Sequence, residues 1–430
     1  MTPQFLKDLK QMDRNIWIRF AGESLNSIAM MMMFPFFALY LKDRLDSLTQ
    51  VGIVIAIGPA VAVVGSIIGG RWADTYGRKP IMIISMIGNG LILLGFIYTD
   101  GFLAYSLLSA GMGFFNSLFH PAATAMVADV TPPEKRTEAY GLLRMGHNIG
   151  AAFGPLIGAS IIHLPKSIIF FTASFSLILY AVVVWIWIKE TLPDKHNQVN
   201  EVNAGFRQSI SAYKAVFKDR LLILFILTGI VISMSFSQTE GMLPIHFDLE
   251  MKHIFGLQNP FFYLLALNGF LVVLFQFPIS RWATHKSIGF MMFWGASLFG
   301  FGMVFIGWLP VLFGEWHTQA VYVLIALGIA FTIYTIGEMM MSPVQMTFVA
   351  NIAPEDLRGT YMGAASWQWI AGETLGPIIG GYMFDLSLGN LLFTSLGVGC
   401  MIAGIVYVFL DRFALQKKRI QPVTEVKVSG

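Results

Sequence analysis

Twelve long apolar runs, separated by short polar stretches, make up most of the chain. A helix that crosses the ~30 Å hydrocarbon core of a bilayer needs about 20 predominantly apolar residues, and every run reaches that length. The pattern therefore predicts an all-α polytopic membrane protein with 12 transmembrane helices. The predicted spans are residues 16–40, 48–70, 80–99, 102–130, 137–163, 167–188, 221–247, 260–283, 287–309, 319–352, 359–384 and 389–412.

One helix pair occurs twice in the chain. Residues 121–158 align without a gap on residues 343–380, with eleven identities in 38 positions. Two such copies, half a chain apart, are typical of transporters built from two similar halves. We predict an N-terminal six-helix bundle (1–188), a cytoplasmic linker (189–220) and a C-terminal six-helix bundle (221–430). The bundles would be related by a pseudo-two-fold axis along the membrane normal, with a central cavity between them.

Composition and charge agree with a membrane location. Hydrophobic residues make up 56% of the chain and charged residues 12%, whereas a soluble protein is about a quarter charged. Loop lysines and arginines number 22 on the side that holds both termini and four on the other side. Such an excess marks the cytoplasmic side. We therefore predict a multi-pass protein of the cell (plasma) membrane with both termini in the cytoplasm.

The loop between the second and third spans carries a family motif. Residues 70–80 read GRWADTYGRKP, which resembles the G-x-L-A-D-R-x-G-R-K loop signature of the major facilitator superfamily. The resemblance implies a latch that holds the cytoplasmic side shut in the outward-open state. Its physical basis is that an acid accepts N–H groups at a helix N-terminus, where the helix dipole favours an anion; the alternative is a surface loop whose charges only set topology. The predicted latch residues are Gly70, Asp74, Gly77, Arg78, Lys79, Asp129 and Arg136.

The fifth span carries a second motif, formed by regularly spaced glycines. Glycines four apart line one helix face and permit close helix contact, so generic packing is one interpretation. The spacing also resembles the fifth-helix motif of drug:proton antiporters in the same superfamily. The chain as a whole is similar to the twelve-span bacterial multidrug exporters of that family, although its fourth span lacks the arginine many of them carry. The motif residues are Gly146, Gly150, Gly154, Pro155 and Gly158.

Ionisable residues inside the predicted spans are candidates for proton and substrate binding. Charges at membrane depth are costly and normally face the bundle interior or a water-filled cavity. Glu338 lies near the middle of span ten in a polar stripe with Thr335, Ser342 and Gln345, and is the leading candidate for the proton carrier. Glu23 lies one turn from Arg19, so this pair has a simple structural alternative. The predicted cavity residues are Glu338, Glu373, Glu240, Glu23, Arg144, His147, Asn116 and Gln345.

Other functional classes lack a supporting motif. The chain has no G-x4-G-K-[ST] phosphate loop for ATP coupling, no metal-spaced His/Cys cluster and no assembled catalytic set. We therefore expect a protein that is not an enzyme, with no catalytic residues, no metal and no cofactor other than a proton gradient. The expected partners are a small hydrophobic substrate, protons and the lipid bilayer, without nucleic acid, and the protein is expected to be monomeric.

These observations lead to one functional hypothesis and two alternatives. We expect proton-coupled efflux of hydrophobic small molecules or drugs, cationic ones among them, by rocker-switch alternating access. A carboxylate removed from water favours its protonated form, and after losing the proton it attracts a cation. An importer or a lipid or metabolite facilitator of the same fold is the first alternative. A non-transporting membrane receptor is the second.

Overall fold

A computed structural model describes residues 12–132, 135–161, 164–192, 216, 218–255, 259–315, 320–354 and 357–420 of the chain. Within these residues the regular structure is helical. The helices in chain order are α1 Arg14–Lys42, α2 Leu48–Tyr76, α3 Arg78–Tyr98, α4 Phe102–Val130, α5 Arg136–Ser160, α6 Lys166–Trp187, α7 Arg220–Ser237, α8 Met242–Phe255, α9 Phe261–Ala283, α10 Ile288–Glu315, α11 Ala320–Ile352, α12 Arg358–Ala365, α13 Trp367–Asp385 and α14 Gly389–Ile420.

The structure confirms the predicted all-α membrane architecture and adds two breaks. The seventh predicted span divides into α7 and α8 at residues 238–241, and the eleventh divides into α12 and α13 at Ser366. Of the described helices, ten are long and apolar enough to cross a bilayer by length and composition. Helix α5 is not among these ten, in keeping with the charged and polar side chains along its first half, such as Arg144.

The helices pack as two bundles with matching neighbours. In the first bundle α1 packs on α5 and α6, α3 packs on α4 and α6, and α2 packs on α4. In the second bundle α7 packs on α13 and α14, α10 packs on α11 and α14, and α9 packs on α11. Each pair in one bundle therefore has its counterpart in the other. The bounds 1–188, 189–220 and 221–430 stay a prediction, because residues 193–215 of the linker lie outside the described residues.

The two bundles meet along two helix pairs, α2 with α13 and α5 with α9. A further contact joins α1 to α9, where the rings of Phe36 and Phe262 stack with their centroids 4.4 Å apart. These contacts leave the space between the bundles open on the side of the chain termini.

The repeated glycines permit the closest helix approach within each bundle. A Cβ atom added at Gly150 of α5 would lie 2.1 Å from Ser27 Oγ of α1, and one added at Gly372 of α13 would lie 2.2 Å from Ser233 Cβ of α7. The internal repeat thus preserves one packing contact in both halves. Close packing accounts for these glycines without a role in transport, so the packing interpretation of the fifth-span motif is sufficient at this position.

We predict that Gly150→Ala destabilises the protein by about 1–3 kcal/mol, because the added methyl group overpacks the contact with Ser27. The thermal unfolding temperature of the purified protein in detergent measures the effect. Gly141→Ala is the matched control on the same helix, since a Cβ atom there meets nothing within 4 Å. Equal unfolding temperatures for the two variants would contradict the packing argument.

Candidate functional site

A cavity of about 830 Å³ lies between the two bundles. Most of its wall belongs to the first bundle, and the second bundle contributes residues from α13 and from the break between α7 and α8. The apolar part of the wall is rich in methionine and phenylalanine, which adapt to ligands of different shape. Its large apolar residues are Met30, Met31, Phe34, Phe37, Ile55, Met112 and Phe119.

The cavity is closed at the end opposite the termini, and we call this its closed end. There the backbone of α13 at Pro377 packs on α2 so tightly that a Cβ atom at Gly52 would lie 2.0 Å from the Pro377 carbonyl oxygen. Glu373 lies one turn before Pro377 on α13. Glu240 lies in the break between α7 and α8. Non-helical backbone at membrane depth is tolerated where it lines a cavity.

Two carboxylates from the second bundle face this cavity. Glu240 and Glu373 are both exposed to it, and they lie near enough to interact electrostatically. Among the described residues neither carboxylate has an ion-pair or hydrogen-bond partner. A buried carboxylate pair without a counter-ion is available to bind a proton or a cation.

The wall from the first bundle carries basic side chains. Arg19 and Glu23 form an ion pair with an N–O distance of 3.6 Å, and the Arg19 guanidinium lies 4.9 Å from the centre of the Phe119 ring. Arg144 is exposed to the cavity and has no partner among the residues that the structure describes. His147 also faces the cavity, and its Nδ1 lies 3.3 Å from Ser27 Oγ.

The structure corrects the predicted position of the leading acid. Glu338 and Gln345 are absent from the described residues that line the cavity. Instead, Asn268 of α9 donates one hydrogen bond of 2.8 Å to Glu338 and another of 2.9 Å to Thr335, inside the second bundle. Gln345 is also buried. The polar stripe on α11 is real, but it faces α9, because helical spacing shows which residues share a face and not which neighbour they meet.

The remaining predicted cavity residues line the cavity, and several that sequence reasoning missed join them. Glu373, Glu240, Glu23, Arg144, His147 and Asn116 all belong to the wall. The polar face of α1 continues through Asn26 and Ser27, at helical spacing from Glu23, so periodicity was the available signal. His120 and Tyr140 extend the polar wall on α4 and α5. The additional polar residues are Asn26, Ser27, Ser117, His120, Thr124 and Tyr140.

The predicted latch residues form a charge cluster within the first bundle. Arg78 Nη1 lies 2.5 Å from an Asp74 carboxylate oxygen and Arg78 Nε lies 3.2 Å from Asp129. The Asp74 side chain is 68% exposed, and among the described residues it contacts none from the second bundle. Arg136 does not join this cluster, which corrects its predicted place: its guanidinium donates to the carbonyl oxygens of Ala128 and Thr131 at the end of α4.

Glu190, which the sequence analysis did not single out, holds the start of α3 in place. Its carboxylate accepts the backbone N–H groups of Arg78 at 2.9 Å and Lys79 at 3.1 Å. Gly77 precedes them with φ of 110°, and a Cβ atom there would lie 2.4 Å from the carboxylate. Glycine is needed at this position for both the backbone angle and the space. Gly70 lies further back on α2, where an added Cβ atom would meet only ordinary van der Waals contact.

A different set of contacts joins the two bundles at the closed end, and we call them the closing contacts. The Asp385 carboxylate at the end of α13 accepts the backbone N–H groups of Leu48 and Thr49, both at 2.8 Å, and the Thr49 hydroxyl at 2.5 Å. It thereby caps the N-terminus of α2 from the opposite bundle. Lys42 of α1 also pairs with Asp248 of α8 at 2.5 Å.

The described part of the chain offers no metal site: none of its groups of three or more His, Cys, Asp or Glu side chains is arranged to hold an ion. The chemistry that this cavity supports is therefore that of its own side chains, which can exchange protons and form ion pairs with a ligand.

Comparison with known proteins identifies the family. The family model described as Major Facilitator Superfamily matches residues 20–369. The Na(+), Li(+), K(+)/H(+) antiporter of Planococcus maritimus is 27% identical over 96% of this chain and 98% of that protein. The multidrug resistance protein MdtH of Escherichia coli (strain SE11) is 25% identical over 82% of each chain.

Solved structures agree on the fold. A POT family transporter in complex with 5-aminolevulinic acid superposes with a TM-score of 0.73 at 16% identity, over 93% of this chain and 96% of that one. A bacterial homologue of the human lysosomal transporter Spinster, in an inward-facing and unoccupied conformation, gives 0.72 at 15% identity, over 94% and 97%. At such low identity these similarities show the fold alone.

We predict that Glu190→Gln lowers stability at neutral pH and that the loss disappears in acid. Burial by itself favours protonated Glu190, but the four backbone N–H groups that donate to its carboxylate outweigh burial and hold its pKa below the ordinary value of 4.5. A carboxylate with a depressed pKa stabilises the fold above its unfolded-state pKa, and this contribution is lost as pH falls through the folded-state pKa.

The measurement is the unfolding temperature of wild type and Glu190→Gln from neutral pH down to about pH 4. The gap between the two should narrow as the pH drops below 4.5. Asp46→Asn, at an exposed position, serves as the control. A gap that stays constant with pH would show that Glu190 does not act through its charge.

Proposed function

The chain belongs to the major facilitator superfamily, and from that premise we propose that it exports hydrophobic small molecules across the plasma membrane in exchange for protons. It is a membrane transporter with an all-α fold of two bundles. The observation that carries the proposal is the cavity of about 830 Å³, whose wall is largely apolar and holds two unpartnered carboxylates. This volume suits a drug-sized ligand.

Proton coupling is supported by the chemistry of the two acids. A carboxylate in a poorly hydrated cavity favours its neutral form, and the nearby second carboxylate strengthens that preference, since like charges repel. Loss of the proton creates a negative site that attracts a positively charged group. Proton and substrate then compete for Glu240 and Glu373, and this competition is sufficient to couple their movements. The antiporter and multidrug resistance names of the relatives support the same proposal.

Alternating access is supported by the distribution of contacts between the bundles. The closing contacts join the bundles on the side opposite the termini, whereas Asp74 is exposed and pairs with Arg78 inside the first bundle. If the excess of loop lysine and arginine marks the cytoplasm, the open side faces the cytoplasm. The arrangement then corresponds to an inward-facing state with the cytoplasmic latch released.

A second candidate function is exchange of monovalent inorganic cations for protons. The printed name of the Planococcus maritimus relative, which matches this chain over nearly its whole length, favours it, and so does the neighbouring pair Glu240 and Glu373. The wide apolar wall favours an organic substrate instead. Proteoliposomes with an imposed pH gradient distinguish the two, since only the second candidate predicts sodium or potassium flux without an organic substrate. The same assay separates an importer or facilitator by direction and a receptor by the lack of flux.

We predict that Glu373→Gln and Glu240→Gln each abolish accumulation of a hydrophobic amine driven by a pH gradient, because glutamine cannot exchange a proton. Glu338→Gln is the matched control: it makes the same chemical change at a membrane acid outside the cavity, and we expect near-normal accumulation. Uphill transport is measured in proteoliposomes with reconstitution levels matched. Loss of transport in Glu338→Gln with full activity in the other two variants would return Glu338 to the role of proton carrier.

We predict opposite conformational effects for substitutions at the two ends. Asp385→Asn removes the charge that caps α2 and should favour the outward-open state, whereas Asp74→Asn should favour the inward-open state. A charge at a helix N-terminus contributes about 0.3–2 kcal/mol, enough to change the ratio of states several-fold. Distances between spin labels at the two ends of the bundles measure the ratio. Shifts in the same direction for both variants would rule out the two-latch arrangement.

A further inference from the structure

The charges on the cavity wall are segregated along its length. Both unpartnered acids, Glu240 and Glu373, lie toward the closed end, where Pro377 packs on Gly52. The basic side chains Arg144 and His147 belong to the first bundle and lie nearer the open end. The cavity therefore has a negative region and a positive region.

The internal repeat gives the separation of the two regions. The displacement of 222 residues that aligns the two halves places Arg144 of α5 at the level of Ser366, where α13 begins. Glu373 is seven residues further along the same direction. At 1.5 Å per residue the backbone positions differ in depth by about 10 Å.

Most of the positive charge near the open end is not neutralised by the protein. Arg19 is paired with Glu23, which leaves Arg144 without a partner among the described residues, and His120 and His147 lie on the same wall. A simple organic cation would pass this positive region before it reached the acids. A simple anion would find a partner in Arg144 but would be repelled by the closed end.

We propose that the cavity takes amphoteric molecules, which carry an amine at one end and a carboxylate at the other end of an apolar body. The amine pairs with Glu240 and Glu373, and the carboxylate pairs with Arg144. The apolar body contacts the side chains between the two regions, among them Met30 and Phe34. This inference rests on the proposed function, which it makes more specific by naming the substrate class.

The test uses a rigid probe whose two charges lie at opposite ends, para,para′-aminomethylbiphenylcarboxylic acid. Its methyl ester keeps only the amine, and its N-acetyl derivative keeps only the carboxylate. Binding of all three to the purified full-length protein is measured by calorimetry at neutral pH. We expect the parent compound to bind about ten- to a hundredfold more tightly than either derivative, since each loses one charge-assisted hydrogen-bonded pair.

Two variants assign the charges to their partners. Arg144→Gln should weaken binding of the parent compound and of the N-acetyl derivative but not of the ester. Glu373→Gln should weaken binding of the parent compound and of the ester but not of the N-acetyl derivative. Arg281→Gln and Glu338→Gln make the same chemical changes outside the cavity wall, so we expect them to leave all three affinities unchanged.

The result that overturns the inference is a parent compound that does not bind more tightly than its ester, or an Arg144→Gln variant that weakens both equally. Flux of the same three compounds in proteoliposomes tests the proposed function separately. If the ester is driven by a pH gradient as well as the parent compound, the export proposal stands and only the amphoteric preference fails. If the binding pattern holds but no compound is transported, the site is correct and the export proposal fails.

Discussion

The absence of water in the bilayer core is the constraint on which this structure depends. Every backbone polar group in that layer needs an internal partner, and helices supply it within a single segment. Charged side chains are restricted in the same way, because only the bundle interiors and the cavity offer them partners or water. The break at residues 238–241 fits this restriction, since it occurs beside the cavity and carries Glu240 to its surface.

One kind of interaction, a carboxylate at a helix N-terminus, recurs with two different consequences. Glu190 caps α3 within the first bundle, and Asp411 of α14 caps α10 within the second bundle through the backbone N–H of Gly289. Both hold a bundle together as a rigid unit. Asp385 caps α2 from the other bundle, so its hydrogen bonds must break whenever the bundles separate at that end. The same chemistry is structural inside a bundle and switchable between bundles.

The glycine contacts explain why the two halves resemble each other while the cavity differs between them. Gly150 and Gly372 keep equivalent helices in contact, so the packing is symmetric. The polar residues that face the cavity are not symmetric, since basic side chains come from the first bundle and unpartnered acids from the second. Shared packing with divergent cavity chemistry allows two similar bundles to bind the two ends of one ligand differently.

The sequence alone determined the membrane architecture, the twelve spans, the division into two similar halves and the set of ionisable residues at membrane depth. Hydrophobic length and internal repetition are local properties that a chain carries in its order of residues, so they are readable without coordinates. Only the tertiary structure decided which neighbour each polar face meets. It placed Glu338 against Asn268 instead of the cavity, turned Arg136 to the end of α4, and brought Asp385 to a helix more than 300 residues earlier in the chain. Periodicity specifies a face, but the orientation of that face depends on how the other helices pack around it.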